Sequence, residues 1–157
     1  MRHKQAPKRE IEGDLIYKNK LVAKCINYLM RDGKKTVAEK VLYDAFDILA
    51  KKEQDPVVIF EKALENVGPK QEVKAKRVGG ASYQIPMEVR GERRLSLAIR
   101  WIVDAARRRS NKDYHVFEEK FAAELLDAAN EQGEAVKKRD SVLRMAQANR
   151  AFSHFKW

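Results

Sequence analysis

Cysteine, proline and glycine are all scarce in this chain of 157 residues, which contains one cysteine, four prolines and seven glycines. A lone cysteine, Cys25, excludes an internal disulfide, and the Cys-x-x-Cys spacing of many zinc sites is absent. No apolar run approaches the ~18 residues of a membrane span, and the basic N-terminus has no apolar signal region. We therefore expect a soluble protein of a reducing compartment that is not exported, with Cys25 packed as a small apolar residue.

Patterns for catalysis are missing as well. Ser153 and His154 are neighbours in a terminal segment, without the oriented carboxylate that acyl chemistry needs. Gly33-Lys34 invites comparison with a phosphate-binding loop, but Lys35 stands where Ser or Thr should hold magnesium. The sequence predicts neither an enzyme nor a protein with a metal or cofactor. An enzyme acting on a phosphorylated substrate is a weak alternative, because no paired acid and base is evident.

Positive charge, in contrast, is abundant and segregated along the chain. The 33 Lys and Arg residues against 23 Asp and Glu give a net charge of +10. Residues 1–35 (ten basic, four acidic), 70–109 (eleven, four) and 137–157 (six, one) are basic, whereas residues 36–69 (four, seven) and 110–136 (two, seven) are acidic. Blocks of one sign can converge on one face and bind a polyanion. Nucleic acid is favoured over an anionic membrane, because no basic block has a strongly apolar helix face flanked by aromatics.

Hydrophobic periodicity predicts a mainly α protein, a compact bundle of six helices in one domain. Thr36 with Glu39 predicts a capping box for the second helix. Asp55-Pro56 predicts the start of the third, and Gly68-Pro69 its end. The apolar stripes begin at Leu21, Val41, Ile59, Leu95, Phe117 and Val142, and the last of them is short.

Residues 71–90, between the third and fourth helices, predict a β-hairpin. Apolar and polar residues alternate on both sides of Gly79-Gly80, a pair that supplies the positive φ angles of a tight turn. A two-stranded ribbon cannot build a core alone, and its first strand is basic. We therefore expect an arm that protrudes from the bundle towards a partner. The alternative is a hairpin packed flat on the helices with its lysines solvated.

Two further segments are predicted to lie outside the bundle. Residues 1–18 are basic, lack periodicity and contain Pro7, which favours an arm that is disordered when unbound. Residues 147–157 form a C-terminal tail.

Several cations are candidates for phosphate contact. Lys34 and Lys35 precede the second helix, whose N-terminal N–H groups and dipole also favour phosphate, although a solvated loop is the alternative. Arg93 and Arg100 share one face of the fourth helix, predicted near the base of the hairpin. For Arg107–Arg109, which end that helix, a structural role is at least as plausible as binding. The candidate nucleic-acid-binding residues are Arg2, Lys4, Lys8, Arg9, Lys34, Lys35, Lys74, Lys76, Arg77, Arg93 and Arg94.

Four segments resemble a known family, the bacterial type of ribosomal protein seven of the small subunit. They are Met30 to Phe46, Arg77 to Val89, Leu97 to Arg107 and the ending RMAQANRAFSHFKW, and they follow the family's order over nearly the whole chain. Met1 to Leu15 is the least family-like stretch. The resemblance implies a six-helix bundle with an extended hairpin between the third and fourth helices. It also implies direct binding to small-subunit ribosomal RNA, early in assembly of the head, and a cytoplasmic location in that subunit.

The resemblance implies further partners for the hairpin. Its tip would lie near the exit-site transfer RNA and the messenger RNA exit path, with small-subunit proteins nine and eleven as neighbours. A DNA-associated regulator with a β-ribbon in a groove remains the alternative from another class, disfavoured because no helix-turn-helix pair stands out. The tip residues proposed to lie near transfer RNA are Gly79, Gly80, Ala81, Ser82, Tyr83 and Gln84.

Overall fold

The computed structural model describes residue 6 and residues 10–51 and 55–155. Within these ranges the helices and strands follow one another in the order α1, α2, α3, β1, β2, α4, α5, α6, with a short 3-10 helix after α6. The predicted six-helix bundle with a hairpin between the third and fourth helices is confirmed. The bounds are α1 Lys20–Leu29, α2 Lys35–Ala50, α3 Pro56–Val67, β1 Gln71–Val78, β2 Ala81–Glu88, α4 Gly91–Arg108, α5 Phe117–Ala129, α6 Gly133–Ala148 and the 3-10 helix Arg150–Phe155.

The core forms around α5, which packs against α2, α3, α4 and α6. Apolar residues spaced three and four apart place one stripe of each helix in the core. Phe46, Phe60 and Phe121 are fully buried, and the rings of Phe46 and Phe60 lie 5.8 Å apart. Cys25 is buried in the same core, as expected, and burial raises the pKa of its thiol. No helix in the described ranges is long and apolar enough to cross a membrane.

The start of α3 is as predicted, but the start of α2 is not. The Asp55 carboxylate accepts a hydrogen bond from the Val57 N–H (2.9 Å), and Pro56 occupies the first turn. In α2 the predicted capping box is wrong. Positive φ angles at Asp32 (53°) and Gly33 (73°) form the turn before α2, and the helix begins directly after it, at Lys35. Thr36 therefore lies inside the helix and cannot be its N-cap residue.

The segment before α1 is folded from Asp14 onwards. The Asp14 carboxylate accepts hydrogen bonds from the Ile16 and Tyr17 N–H groups (both 3.2 Å) and from the Tyr43 hydroxyl (2.5 Å). The Tyr17 ring packs edge-on against Phe46, 5.3 Å away. The prediction of a disordered arm reaching to residue 18 is therefore wrong for its last five residues. Residues 1–5 and 7–9, with the rest of that prediction, lie outside the described residues.

The sixth helix is longer than its apolar stripe predicts. It has 16 residues, of which Ala135, Val136 and Ala146 are buried. Because so few of its residues face the core, its sequence shows little hydrophobic periodicity from which its length could be predicted. A polar contact holds its middle, because the Arg139 Nη1 donates to the Asn66 carbonyl (2.6 Å). Part of the predicted tail then forms the 3-10 helix, which packs against β2, while α6 packs against β1.

The hairpin has the predicted turn, and its register is Val78 opposite Ala81 and Lys74 opposite Ile85. Gly79 (φ 57°) and Gly80 (φ 88°) both take the positive φ of a type I′ turn. Paired residues share a side of the ribbon, so Val73 and Ala75 lie on the side opposite Ile85. Each strand alternates as predicted, but the apolar sides of the two strands face opposite ways. Ile85 and Pro86, whose side chains lie on opposite sides of β2, are both buried, so both sides of the ribbon are covered near its base.

Candidate nucleic-acid interface

Three arginines of α4 form a line along one face of the helix. Arg93, Arg100 and Arg107 are spaced by seven residues, or about two turns, and the line is about 21 Å long at 1.5 Å per residue. We call these three residues the arginine stripe. Each contacts a different neighbour, and together they join the base of the hairpin to the turn between α1 and α2.

The hairpin end of the stripe is an ion-pair cluster. Arg93 Nε donates to both carboxylate oxygens of Glu72 (2.8 and 2.9 Å), and Lys74 Nζ lies 3.4 Å from the same carboxylate. Partial burial raises the pKa of the Glu72 carboxyl, but the hydrogen bond and charge of Arg93, helped by Lys74, outweigh it and lower the pKa. The side chains of Arg93 and Lys74 remain more than half exposed. Both cations can therefore hold Glu72 and still face a ligand.

The middle of the stripe faces α1. The Arg100 guanidinium lies over the Tyr28 ring, 5.6 Å from its centre, an arrangement that favours a cation. A hydrogen bond with Ser96 is the main cause of a lowered pKa at the Tyr28 hydroxyl, with Arg100 and Lys24 adding to it against burial. Arg100 thus extends the stripe over α1, two turns away from the hairpin base where it was expected.

The far end of the stripe meets the α1–α2 turn, residues 30–34. Arg107 Nη2 donates to the Leu29 carbonyl (3.4 Å). In the turn, the Lys34 N–H donates to the Arg31 carbonyl (2.9 Å), which leaves the Lys34 side chain exposed at the start of α2. Lys35 is exposed too and lies 3.5 Å from Glu39. The Lys35 N–H donates to the Gly33 carbonyl (2.9 Å), but no side chain caps the first turn of α2, so the Thr36 and Val37 N–H groups stay available to an anion.

The hairpin carries the remaining predicted contacts. In β1, Arg77 is exposed and Lys76 is half-buried. At the turn, a Cβ placed on Gly79 or Gly80 would meet nothing within 4 Å, so the tip, residues Gly79 to Gln84, ends in open space. Tyr83 differs from its neighbours, because its ring contacts Phe152 of the 3-10 helix at 5.3 Å. The tip is thus exposed at Gly79 and Gly80 and packs against the 3-10 helix at Tyr83.

Arg94 and Arg109 make contacts that stabilise the fold. Arg94 donates to the Gly68 and Glu65 carbonyls (both 3.0 Å), which fills hydrogen-bonding positions at the end of α3. Arg109 Nη2 lies 2.7 Å from the fully buried Glu124 and also pairs with Asp127. Arg108, between Arg107 and Arg109, is exposed. Of the predicted arginines, Arg93 and Arg77 are thus better placed for a ligand than Arg94.

Acidic residues gather at the opposite end of α2 from Lys34. Asp44, Asp47, Glu118 and Glu119 line one shallow depression, in which Lys51 is the basic residue. A neighbouring depression adds Asp113 and Asp127. The charge segregation seen along the chain thus also appears along α2, whose length of about 24 Å separates its basic start from its acidic end.

The sequence prediction missed several residues near the interface. Lys24 of α1 and Arg31 of the α1–α2 turn lie near the stripe, but a single basic residue carries no sequence signal by itself. Arg2, Lys4, Lys8 and Arg9 lie outside the described residues. Within the described ranges no group of three side chains could hold a metal ion.

Comparison with known proteins identifies the family. The family model described as ribosomal protein S7p/S5e matches residues 1–150. The small ribosomal subunit protein uS7 of Caldanaerobacter subterraneus is 56% identical over 152 residues, 96% of each chain. Those of Sorangium cellulosum and Moorella thermoacetica are each 54% identical over 157 residues, 99% of each chain.

The chain belongs to the ribosomal protein S7p/S5e family. The resemblance noted in its sequence is therefore confirmed, and so is the prediction of a ribosomal protein that is not an enzyme. Membership of a family whose relatives are small-subunit proteins agrees with the expected location in the cytoplasmic small ribosomal subunit.

Proposed function

We propose that this S7p/S5e family member binds small-subunit ribosomal RNA directly, through the arginine stripe and the lysines at its two ends. The observation that carries the proposal is the stripe itself, because it joins Lys34 and Lys35 at one end to Lys74 at the other. Phosphates along RNA are spaced regularly, and a row of cations about 21 Å long matches several of them. The N-terminal cations Arg2, Lys4, Lys8 and Arg9 would extend the contact, and Lys76, Arg77, Arg93 and Arg94 complete the proposed set.

Recognition would be of RNA shape more than of sequence. The major groove of an A-form helix is too narrow for side chains, so phosphate and 2′-hydroxyl contacts dominate at helices. Arg93 and Arg100 are suited to this, since each keeps its guanidinium oriented by a contact within the protein before binding. Such an interface fits a junction of several RNA helices, and we propose that binding there nucleates assembly of the subunit head.

The hairpin tip has a separate proposed role, next to the exit-site transfer RNA. From Gly79 to Gln84 it has no charged side chain, so it lacks strong phosphate contacts, yet its glycine backbone can approach a ligand closely. This composition suits weak contact with a ligand that must leave. The path of messenger RNA and the small-subunit proteins nine and eleven are proposed to lie nearby.

The salt dependence of binding tests the RNA interface. Replacing Lys34 and Lys35 together by Ala should weaken binding to folded small-subunit ribosomal RNA and flatten the log–log salt slope by roughly one to two units, at ~0.7–0.9 per phosphate contact. Lys51→Ala with Lys62→Ala is the matched control, because it removes the same charge from two exposed lysines near carboxylates. Its slope should stay that of the unaltered protein.

Two results would contradict the proposal. If both double variants changed the slope equally, binding would depend on net charge alone and not on this surface. If neither changed it while binding persisted, the α1–α2 turn would be a solvated loop. Thermal unfolding of both variants guards against misfolding, and their midpoints should barely move, since exposed lysines contribute little to stability.

A further inference from the structure

A pocket of about 630 Å³ lies between the α1–α2 turn, α2 and the end of α4. Its volume falls within the ~300–1,000 Å³ of small-ligand sites, so it could hold one nucleotide but not an RNA helix. One wall is apolar: Val37 and Val41 project from α2, and Phe117 from the start of α5. Val37 is 57% exposed, so its side chain is open to a ligand in the free protein.

The rim of this pocket is cationic. Arg31, Lys34 and Arg107 line it, against the single carboxylate of Asp32. The Arg107 guanidinium lies 3.9 Å from the Asp104 carboxylate and donates to the Leu29 carbonyl (3.4 Å). Burial first, and then the charge of Arg31, lower the pKa of Arg107, so the cations here oppose one another in the free protein. An anion bound among them would relieve that repulsion.

An apolar wall beside a cationic rim matches the two parts of a nucleotide. We infer that the pocket receives a single unpaired nucleotide of the bound RNA, with its base against Val37, Val41 and Phe117 and its phosphate on Arg31, Lys34 and Arg107. Bases in helices are stacked and covered, whereas unpaired bases can turn out and stack on protein side chains. This inference rests on the proposed RNA binding and assigns to one part of that surface a base-recognising role.

Two exposed valines make a matched test. Val37→Gln and Val58→Gln introduce the same polar side chain at sites 57% and 60% exposed, and Val58 lies outside the cationic pocket. Neither change should alter folding much, because both side chains are on the surface. Val37→Gln should weaken binding to folded small-subunit ribosomal RNA about five- to tenfold, the lower part of the range for one stacked base. Val58→Gln should leave it within twofold.

A photoreactive benzoylphenylalanine at each valine position identifies what occupies the pocket. In reconstituted small subunits, position 37 should cross-link to one discrete unpaired nucleotide and position 58 should not. Removing that base while keeping its phosphate should weaken binding of the unaltered protein about as much as Val37→Gln does, and should add nothing to Val37→Gln.

Several outcomes would overturn the inference. They are a cross-link to paired nucleotides or to a protein, equal effects of the two valine substitutions, or an abasic RNA that binds normally. Failure of the proposed function is a distinct result, because then the unaltered protein would show no preference for the ribosomal RNA at all.

Discussion

At the scale of single residues, Arg109 illustrates how one basic side chain can serve the fold while its neighbours serve a ligand. Its guanidinium lies against Glu124, which is completely buried, and over the Tyr114 ring at 5.6 Å. The other Glu124 oxygen accepts from the Ala135 N–H (3.1 Å), which ties α4 and α5 to the start of α6. Gly133 is needed beside it, because a Cβ there would lie 2.9 Å from Glu124 Oε1 and its φ is +91°.

Removing Arg109 should therefore destabilise the protein. Arg109→Ala would leave the Glu124 carboxylate buried without its cation, and we expect the free energy of unfolding to fall by about 3 kcal/mol. Arg108→Ala removes an adjacent, exposed arginine and should cost less than ~0.5 kcal/mol. Urea denaturation of the two variants measures the difference. Equal losses would mean that the buried network contributes nothing specific.

Glu72 gives a pH dependence with a definite sign. Because the folded protein lowers the pKa of this carboxyl, its ion pair with Arg93 stabilises the fold fully above the ordinary pKa of Glu. That stabilisation is lost as the pH falls through the lowered value. Glu72→Gln should therefore be less stable than the unaltered protein at neutral pH, and the difference should shrink in acid. Glu88→Gln, an exposed change on the partner strand, should give no such convergence. Urea denaturation between pH 7 and pH 3 tests this, and parallel stability curves would contradict it.

At the scale of elements, the hairpin combines an exposed turn with a supported base. Its register decides how it can be shortened without disturbing the rest. In an antiparallel ribbon, hydrogen-bonded and non-hydrogen-bonded residue pairs alternate. The pair Lys76 and Tyr83 lies two positions further from the turn than the pair Val78 and Ala81, so both pairs are of the same type. Replacing residues 77–82 by Asn-Gly therefore keeps the register and the contact of Tyr83 with Phe152.

Shortening the hairpin in this way distinguishes the function of its tip from that of its base. The bundle should stay folded and RNA binding by the isolated protein should match that of Arg77→Ala, the control for the one charge lost. Retention of deacylated transfer RNA in the exit site of assembled subunits should change. Circular dichroism measures folding of the bundle, RNA titration measures binding by the isolated protein, and occupancy of the exit site measures retention of transfer RNA. Loss of RNA binding beyond the Arg77→Ala control, with normal occupancy, would place the tip in the assembly surface.

Helices, strands and turns were predictable from the sequence wherever neighbouring residues determine the backbone conformation. Asp55-Pro56 and Gly79-Gly80 fix a helix start and a turn by backbone chemistry alone, so these predictions needed no tertiary information. The Asp14 loop could not be foreseen, because the partner that orders it, Tyr43, is 29 residues away. The contacts of Arg94 with the carbonyls at the end of α3 could not be foreseen either, because Gly68 and Glu65 are 26 and 29 positions away.

At the scale of the whole molecule, the account depends on basic blocks from different parts of the chain meeting on one surface. The arginine stripe links two of them, while the acidic residues of α2 and α5 gather at the other end of α2. That Lys34, Lys35, Lys76, Arg77, Arg93 and Arg94 share one face stays a prediction.

Hydrogen exchange with and without bound ribosomal RNA tests this convergence. Protection should increase in the α1–α2 turn, β1 and the first turn of α4, because RNA would cover these backbones. The acidic end of α2, residues 44–50, serves as the internal control and should be unchanged. Comparable protection at both ends of α2 would mean that RNA surrounds the bundle and that no single face is used.

Competition binding tests the central claim, recognition of folded RNA, most directly. Labelled small-subunit ribosomal RNA bound to the protein would be displaced at physiological salt either by the same RNA without label or by duplex DNA carrying equal charge. We predict that the RNA competes roughly a thousandfold more effectively, because the duplex offers phosphates but not the shape of the junction. If the duplex displaced the RNA equally well, binding would be charge attraction alone, and recognition of ribosomal RNA by this surface would be wrong.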